Sequence, residues 1–292
     1  MDTNAAIIYI YRNWFHQTPT YKHLEIPIIP SIASFRAFDN TTPIYVIDTS
    51  EGDNEWLHYP EKLSFQVIKK QHAFRHVDKV ADEVKDMKVF WSLLSKPLDI
   101  YDLVSTLDHE VYVVADADVF FVQPLFPLLE DPNKHFVCGT NTGMFYFHKN
   151  KPATAQVFET WSSLCALSML HPRIRRKVRQ PHHPTVQEEC VYCYMLACHS
   201  ERLHLKPIPI YENFIGPYDK TFNHGMIKVL HMAGYFGRPR RGMVGICIKE
   251  IRCNIEQVLT KQEMEQVFGN IDIDTHSITE DDLIRKVIRA IE

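Results

Sequence analysis

Two aspartates separated by one residue follow a long apolar run, and their types and spacing suit metal chemistry. Asp116-Ala117-Asp118 comes directly after the run VYVVA. Carboxylate oxygens are hard ligands of the kind that Mg²⁺ and Mn²⁺ prefer. We therefore predict that Asp116 and Asp118 bind one of these cations. The alternative is that the two side chains only cap the turn that follows the strand.

A second aspartate pair shows that the pattern alone is weak. Asp272 and Asp274 have the same spacing, but they follow VFGN and not a long apolar run. The first pair is the better candidate because a buried strand would hold its carboxylates in place.

A basic, glycine-rich segment later in the chain suits an anionic ligand. Gly234, Gly237 and Arg238 belong to GYFGRPRRG, whose backbone N–H and guanidinium groups could bind a diphosphate. His231 lies three residues earlier and is our candidate for a third metal ligand. A divalent cation would neutralise a diphosphate leaving group with no protonation step. A core histidine and a solvated turn are the alternatives for these two features.

The elements that would position these residues alternate along the first half of the chain. Short β-rich runs alternate with helical stretches at residues 5–11, 26–38, 43–48 and 64–70. This order predicts a parallel sheet with helices on its faces. Residues 84–107 predict one or two helices with Pro97 as a kink or boundary.

The middle of the chain continues the core. We predict one strand over residues 110–121, buried on both faces in the centre of the sheet. Residues 135–150 predict two strands around a glycine-containing bend, and residues 153–170 a helix. Residues 171–184 are basic and bounded by prolines, which predicts a mobile surface loop. We expect a helix from Val186, short strands in LHLKPIPIY and KVLHMAG, and helices from Asn254 onward.

The order of these motifs resembles that of the type-A nucleotide-sugar transferases. A strand ending in ADAD, then Pro124-Leu125, then Asn141-Thr142-Gly143-Met144, an acidic helix start and a late His-x-x-Gly follow one another. The resemblance is strongest to the group of glycogenin and the lipopolysaccharide galactosyltransferases, over roughly residues 5–241.

The resemblance implies a fold, an activity and a division of the chain. The fold would be α/β, of the glycosyltransferase type-A class, with a mostly parallel central sheet flanked by helices. Residues 1–253 would form the transferase domain and residues 254–292 a C-terminal helical appendage. The activity would be metal-assisted transfer of a sugar from a nucleotide diphosphate donor, of which UDP-sugars are the commonest, to a glycan or another acceptor with a hydroxyl group.

The resemblance also implies site residues. The metal, Mn²⁺ or Mg²⁺, would be held by Asp116, Asp118 and His231. Donor contacts would come from Tyr11, Arg12, Asn13, Asp48, Lys88, Ala117, Gly234, Gly237 and Arg238. Asn141, Thr142 and Gly143 match the segment that lines the donor sugar and acceptor cleft.

The chain departs from the resembling group at the acidic helix start, where Gln187-Glu188-Glu189 stands in place of an Asp-Gln pair. Glu188 or Glu189 could be the general base of an inverting displacement, or could hydrogen-bond the sugar in a retaining one. The stereochemistry stays open. The alternative is that both are helix N-terminal acids favoured by the helix dipole.

Two further signals have ordinary explanations. Cys190, Cys193 and Cys198 with His199 have a zinc-like spacing, but CVYCYMLAC is typical of an apolar helix with cysteines as small hydrophobic residues. The basic run from Arg173 to Arg179 could attract an anionic acceptor, a membrane surface or nucleic acid, and a solvated loop is the alternative.

Composition limits the class of protein. The chain has 292 residues, of which 45% are hydrophobic and 23% charged, with a formal net charge of -4. These values suit one large α/β domain with or without an appendage, and they exclude a dedicated nucleic-acid binder. The early residues contain no apolar run long enough for a signal peptide or a membrane span. With seven scattered cysteines, we expect a cytoplasmic protein.

Two rival functions remain at this stage. A sugar nucleotidyltransferase shares this sheet type but would carry a glycine-rich basic loop after the first strand, where this chain has Arg12-Asn13-Trp14-Phe15. A non-catalytic carbohydrate-binding or scaffold protein of the same fold would bind ligand without turnover. The oligomeric state stays open.

Overall fold

The computed structural model describes most of the central part of the chain. The described residues are 4–11, 28–49, 60–71, 93–125, 136–138, 142–179, 186–203, 205–206, 214–215, 229–231, 251 and 253–263. The chain divides into two units. The first comprises residues 1–22, 42–116 and 126–209, and the second comprises residues 23–41, 117–125 and 210–292.

The first unit is built on a seven-stranded sheet of order β3-β2-β1-β4-β7-β6-β8. Its strands are β1 (Ala5–Tyr11), β2 (Ile44–Asp48), β3 (Phe65–Lys69), β4 (Val111–Asp116), β6 (Phe136–Cys138), β7 (Met144–His148) and β8 (Leu205–Lys206). The neighbours β3, β2, β1 and β4 are parallel, as are β6 and β8. Only β7 runs antiparallel to its neighbours β4 and β6. The prediction of a mostly parallel α/β sheet is therefore confirmed.

The two central strands are apolar along their whole length because both of their faces are covered. Every residue of β1 is buried, and so is every residue of β4 except Asp116 at its end. Near-continuous Val, Ile and Ala runs are the composition that parallel strands buried on both faces require.

Five helices of the first unit have both ends within the described residues. They are α2 (Pro60–Leu63), α3 (Lys96–Thr106), α4 (Pro152–Leu170), α5 (Pro172–Val178) and α6 (Glu188–Leu203). Aromatic side chains fill the core between sheet and helices, with Phe136 of β6 touching Phe147, Phe158, Trp161 and Tyr192. This packing anchors α4 and α6 to the sheet, and it places the first residues of α6.

The second unit contains α1 (Ile28–Arg36) and a three-stranded sheet of order β5-β10-β9. The strands are β5 (Val119–Phe121), β9 (Phe214–Ile215) and β10 (Val229–His231). Strand β10 is antiparallel to β5 and parallel to β9. Ser31 and Ser34 of α1 bond the backbone of β5, and the rings of Phe35 and Phe121 lie 5.1 Å apart.

The prediction of one strand over residues 110–121 is wrong. Strand β4 ends at Asp116, Ala117 and Asp118 form a turn, and β5 begins at Val119 in the other sheet. The sequence does not reveal this break, because the apolar residues continue on both sides of it. Ala117 and Asp118 are themselves buried, so the turn is not exposed to solvent. Asp116 is therefore the last residue of β4, whereas Asp118 belongs to the turn before β5.

The prediction of a mobile loop over residues 171–184 is wrong for residues 172–178, which form α5. Pro172 lies in the first turn, where a missing N–H is tolerated. Ile174 and Val178, one turn apart, pack against the core and give the basic segment an apolar side. Residues 180–185 lie outside the described part of the chain.

Where the structure describes them, the other predicted elements are confirmed within a few residues; residues 84–92 of the predicted helical stretch lie outside the described part. Helix α3 has Pro97 in its first turn, β6 and β7 are the two strands around a bend, α4 covers the predicted helix, and α6 begins at Glu188 instead of Val186. Residues 253–256 and 261–263 are helical, but most of the 254–292 appendage lies outside the described residues. The division at residue 253 therefore stays a prediction. None of the described helices combines the length and the apolar character needed to cross a membrane.

Candidate functional site

Three predicted site residues lie at one edge of the first unit's sheet. In the register of the parallel strands, Tyr11 pairs with Asp48 and Ile10 pairs with Asp116. Tyr11, Asp48 and Asp116 are each the last residue of their strand. The carboxyl edge of neighbouring parallel strands is where open α/β sheets bind ligands.

Asp48 is fully buried and forms an ion pair. Its Oδ2 lies 2.9 Å from Nζ of Lys69, which is the residue opposite it in β3. The backbone continues across the same edge, since Thr49 donates its N–H to Tyr11 O at 3.1 Å. A role of Asp48 toward a ribose would have to coexist with this ion pair.

Asp116 is held from two sides. Its backbone N–H donates to Gly143 O at 2.7 Å, which ties the end of β4 to the turn before β7. Its Oδ1 accepts a hydrogen bond of 2.7 Å from Nζ of Lys96. The Asp116 side chain keeps 33% of its surface exposed, so it is not enclosed by these contacts.

Lys96 is a site residue that the sequence reasoning missed. Its side chain is 1% exposed, and Nζ donates to Asp116 Oδ1 and, at 2.8 Å, to Thr142 O. Nζ also lies 3.7 Å from Oε1 of Glu188. One buried ammonium group thus joins the end of β4, the segment before β7 and the start of α6.

The sequence does hold a signal for Lys96. A lysine in the first turn of a helix meets the positive end of the helix dipole, which disfavours it there. Asp99, also in the first turn of α3, partly offsets this charge; it accepts a 2.6 Å hydrogen bond from Ser95 and lies 3.6 Å from Lys70. A lysine at such a position indicates a specific acceptor nearby.

Asp118 and His231 meet within the second unit. The antiparallel register of β10 and β5 sets His231 opposite Val119, the neighbour of Asp118. His231 Nε2 lies 3.2 Å from Asp118 Oδ1, and both residues are buried. The pairing of β5 with β10 thus brings together two residues that are more than a hundred positions apart in sequence.

The three predicted metal ligands form a group that can hold a metal ion. One carboxylate oxygen from each of Asp116 and Asp118 and one ring nitrogen of His231 all lie within 4.8 Å of one another. Two carboxylates and an imidazole offer the oxygen-rich set that Mn²⁺ and Mg²⁺ accept. The donor set therefore fits the predicted cofactor, whichever of the two ions it is.

Glu188 and Glu189 occupy the first turn of α6, a position that the helix-dipole alternative also requires. Glu188 is buried, and its carbonyl oxygen accepts a 3.0 Å hydrogen bond from Nε1 of Trp161. Glu189 is half-buried. Glu188 does more than stabilise the helix end, because its buried carboxylate lies next to the buried ammonium group of Lys96.

The remaining candidates lie outside the described residues. They are Arg12, Asn13, Lys88, Asn141, Gly234, Gly237 and Arg238. Ala117 is described and is a buried turn residue between the two aspartates. In the described part of the chain, the cysteines of α6 belong to no group of three metal-ligating side chains.

The fold is similar to that of solved glycosyltransferases. One is the galactosyltransferase LgtC in complex with donor and acceptor sugar analogs, with a TM-score of 0.54 and 10% sequence identity over 91% of this chain and 100% of LgtC. An active-site mutant of LgtC gives a TM-score of 0.53 at 10% identity, over 90% of this chain and 99% of that one.

The glycosyltransferase GlyE of Streptococcus pneumoniae TIGR4 is also similar, with a TM-score of 0.52 and 10% identity over 90% of this chain. This chain spans 65% of the GlyE structure. No protein-family model matches the sequence, and no curated protein sequence matches it either. The similarity therefore shows a shared fold, the type-A glycosyltransferase fold.

Proposed function

We propose that this protein is a metal-dependent glycosyltransferase that moves a sugar from a nucleotide diphosphate donor, a UDP-sugar, to a hydroxyl group of a glycan acceptor. The observation that carries the proposal is the Asp116, Asp118 and His231 group at the end of a central strand. The same fold in LgtC, whose structure contains donor and acceptor sugar analogs, supports it.

The metal would be held by Asp116, Asp118 and His231, and when bound it would neutralise charge on the diphosphate as the bond to the sugar breaks. The chain's own residues prepare this site before any ligand arrives. Asp118 and His231 are buried, which restricts the conformations of their side chains. Asp118 lies in the short turn after Asp116, so the two carboxylates are close in space. Such preorganisation is the main way in which enzymes stabilise charge in a transition state.

Lys96 would orient the reacting region without contacting the donor. Its ammonium group holds Asp116 from one side and Glu188 from the other. These contacts keep the Asp116 carboxylate in a fixed position at the end of β4, where it would meet the metal.

The roles of the other candidates follow as proposals. Glu188 or Glu189 would act at the sugar, as general base in an inverting reaction or as a hydrogen-bond acceptor in a retaining one. Asn141 would line the acceptor side, and Tyr11, Arg12, Asn13, Asp48 and Lys88 would contact the nucleoside. Gly234, Gly237 and Arg238 would bind the diphosphate.

The test is hydrolysis of nucleotide sugars in the absence of acceptor, with Mn²⁺, Mg²⁺ or EDTA. We expect metal-dependent release of one nucleotide from one donor of the panel. Asp118→Asn removes a ligand charge with little change in volume, and we expect it to reduce the rate at least about a hundredfold, since a bound metal contributes several kcal/mol of transition-state stabilisation.

The matched control is Asp108→Asn, an exposed aspartate in the turn between α3 and β4. It should retain the native rate. Calorimetric titration with Mn²⁺ and UDP supplies a second measurement that does not depend on turnover. Nucleotide binding without hydrolysis would favour the non-catalytic binding protein, and release of pyrophosphate from a nucleoside triphosphate and a sugar phosphate would favour the nucleotidyltransferase. The proposal would be contradicted if the protein neither bound a nucleotide nor released one from any donor.

A further inference from the structure

The segment between Glu159 and Glu188 is a long stretch of one charge sign in a chain of net negative charge. Residues 160–187 contain no aspartate or glutamate, whereas the whole chain has a formal net charge of -4. The stretch contains five basic residues, Arg173, Arg175, Arg176, Lys177 and Arg179. The proposed transferase site uses none of them.

Helix α5 sorts these residues by side. Ile174 and Val178 pack against the core, so the opposite side of the helix faces outward. Arg173, Arg176 and Lys177 have the spacing of helix neighbours, and all three are exposed. Arg173 and Arg176 therefore share one outer face, and Nζ of Lys177 lies at its edge, 5.6 Å from the centre of the Tyr194 ring in α6.

Arg175 has a separate, structural role. Its Nε donates to Ser168 O at 2.9 Å and its Nη2 to Met169 O at 2.5 Å, at the C-terminal end of α4. Carbonyl groups at that end lack helix partners and carry partial negative charge, so a guanidinium group stabilises them. Arg175 thus fastens α5 to the end of α4 and keeps the two helix ends together.

The end of α4 exposes leucine beside this basic helix. Leu170 is 55% exposed and Leu167 is 37% exposed, and they lie three residues apart, on one side of α4. In the described part of the chain only one other large hydrophobic side chain, Tyr101, is exposed. We name these exposed residues at the adjoining ends of α4 and α5, Leu167, Leu170, Arg173, Arg176, Lys177 and Arg179, the basic leucine surface.

We propose that the basic leucine surface binds the surface of a membrane that contains anionic phospholipids. Basic side chains near such a membrane are attracted by its negative surface potential, and apolar side chains beside them enter the boundary between headgroups and acyl chains. The two leucines favour a lipid over a nucleic acid, because single-stranded nucleic acids gain affinity from aromatic side chains on which bases stack.

The experiment measures co-sedimentation of the full chain with vesicles. One set contains phosphatidylcholine alone, and the other contains phosphatidylcholine with phosphatidylglycerol. We expect binding only to the anionic set, and a decrease as salt rises. The double variant Arg173→Glu with Arg176→Glu should lower the partition coefficient at least about 25-fold, since each basic residue contributes a factor of about five near an anionic surface.

The matched control reverses two exposed basic residues elsewhere, Arg202→Glu with Lys261→Glu. This control changes the net charge by the same amount as Arg173→Glu with Arg176→Glu. It should keep most of the native partition coefficient on anionic vesicles. Leu170→Ser leaves the charge unchanged and should weaken binding about tenfold, because it removes an apolar side chain from the membrane boundary. Arg175 is left in place in every variant, and circular dichroism checks that each variant folds.

Three outcomes would overturn the proposal. The first is equal binding to neutral and anionic vesicles by the native chain, or none to either. The second is equal loss in the control double variant, which would indicate a response to net charge alone. The third is tight binding of a fluorescent single-stranded RNA that Arg173→Glu with Arg176→Glu abolishes, while vesicle binding is absent. The vesicle and salt comparisons use the native chain, so they decide the question even where a variant fails to fold.

Discussion

The buried ammonium group of Lys96 connects three elements that are distant in sequence. It donates to Asp116 and to Thr142 O, and it lies 3.7 Å from Glu188. A charged group that is 1% exposed is costly unless its hydrogen bonds are made, and these acceptors make them. At the scale of single residues, Lys96 therefore holds together the end of β4 and the acidic start of α6.

Replacement of Lys96 tests this arrangement. Lys96→Met keeps a similar length and removes the charge, which leaves the carboxylate of Glu188 buried beside an apolar side chain. We expect a loss of roughly 3 kcal/mol in the free energy of unfolding, because breaking a buried ion pair exposes the cost of the remaining charge. Urea unfolding measures it.

The control for this variant is Lys62→Met, at an exposed position in α2, which should change stability by less than about 0.5 kcal/mol. A stable Lys96→Met protein with native donor hydrolysis would show that Lys96 is not needed for either purpose. A stable Lys96→Met protein that no longer binds Mn²⁺ would show that Lys96 acts through Asp116 and is not needed for stability.

At the scale of elements, α1 is attached to β5 by serine side chains. The hydroxyl of Ser34 accepts a 2.9 Å hydrogen bond from the N–H of Phe121 and donates at 2.7 Å to Ser31 O. The hydroxyl of Ser31 in turn donates to Val119 O. Since β5 pairs with β10, these bonds fix the strand that positions His231.

Ser34→Ala should weaken this attachment. The variant leaves the N–H of Phe121 buried without its acceptor, and an unsatisfied buried donor costs about 1 to 3 kcal/mol. We expect a loss of this size in the free energy of unfolding and faster amide hydrogen exchange at Phe121. The comparison variant is Ser105→Ala, an exposed serine of α3 that bonds only Asp102 O. Equal exchange at Phe121 in both variants would contradict the account.

At the scale of the whole molecule, the core of the first unit combines aliphatic side chains with aromatic rings and three buried cysteines, Cys138, Cys165 and Cys190. Burial raises the pKa of Cys138 and of Cys165 well above the ordinary value of a thiol. The reactive thiolate is the deprotonated form, so both thiols are inert in the folded state for two reasons, access and protonation. Cys198 and Cys253 are exposed.

Thiol labelling therefore reports on the integrity of the core. At about pH 8, we expect an alkylating reagent to modify Cys198 and Cys253 rapidly and to leave Cys138 and Cys165 unmodified until the chain unfolds. Raising the pH within the range of the native fold should not bring the buried pair into reaction, since their pKa values are raised and not lowered. Peptide mapping by mass spectrometry measures each site. Early modification of Cys138 would show that the core opens locally.

Local patterns predicted most of the elements, and they failed where a tertiary contact decided the outcome. The helix in residues 172–178 depends on Ile174 and Val178 packing inward and on Arg175 bonding the end of α4. The break after Asp116 depends on β5 pairing with β10 instead of continuing β4. The prolines and basic residues around 172–178 do not show locally that this segment packs on α4. The unbroken apolar run through residue 121 likewise does not show that β5 pairs with β10.

The sequence by itself predicted the mostly parallel α/β sheet, a buried central strand within residues 110–121, and Asp116, Asp118 and His231 as candidate metal ligands. These features depend on short-range chemistry: apolar continuity for a buried strand and hard oxygen donors for a divalent cation. Only the tertiary structure decided that His231 reaches Asp118 and that Lys96 joins Asp116 to Glu188. Such contacts join residues far apart in sequence, and they exist only because strand register and helix packing bring those residues together.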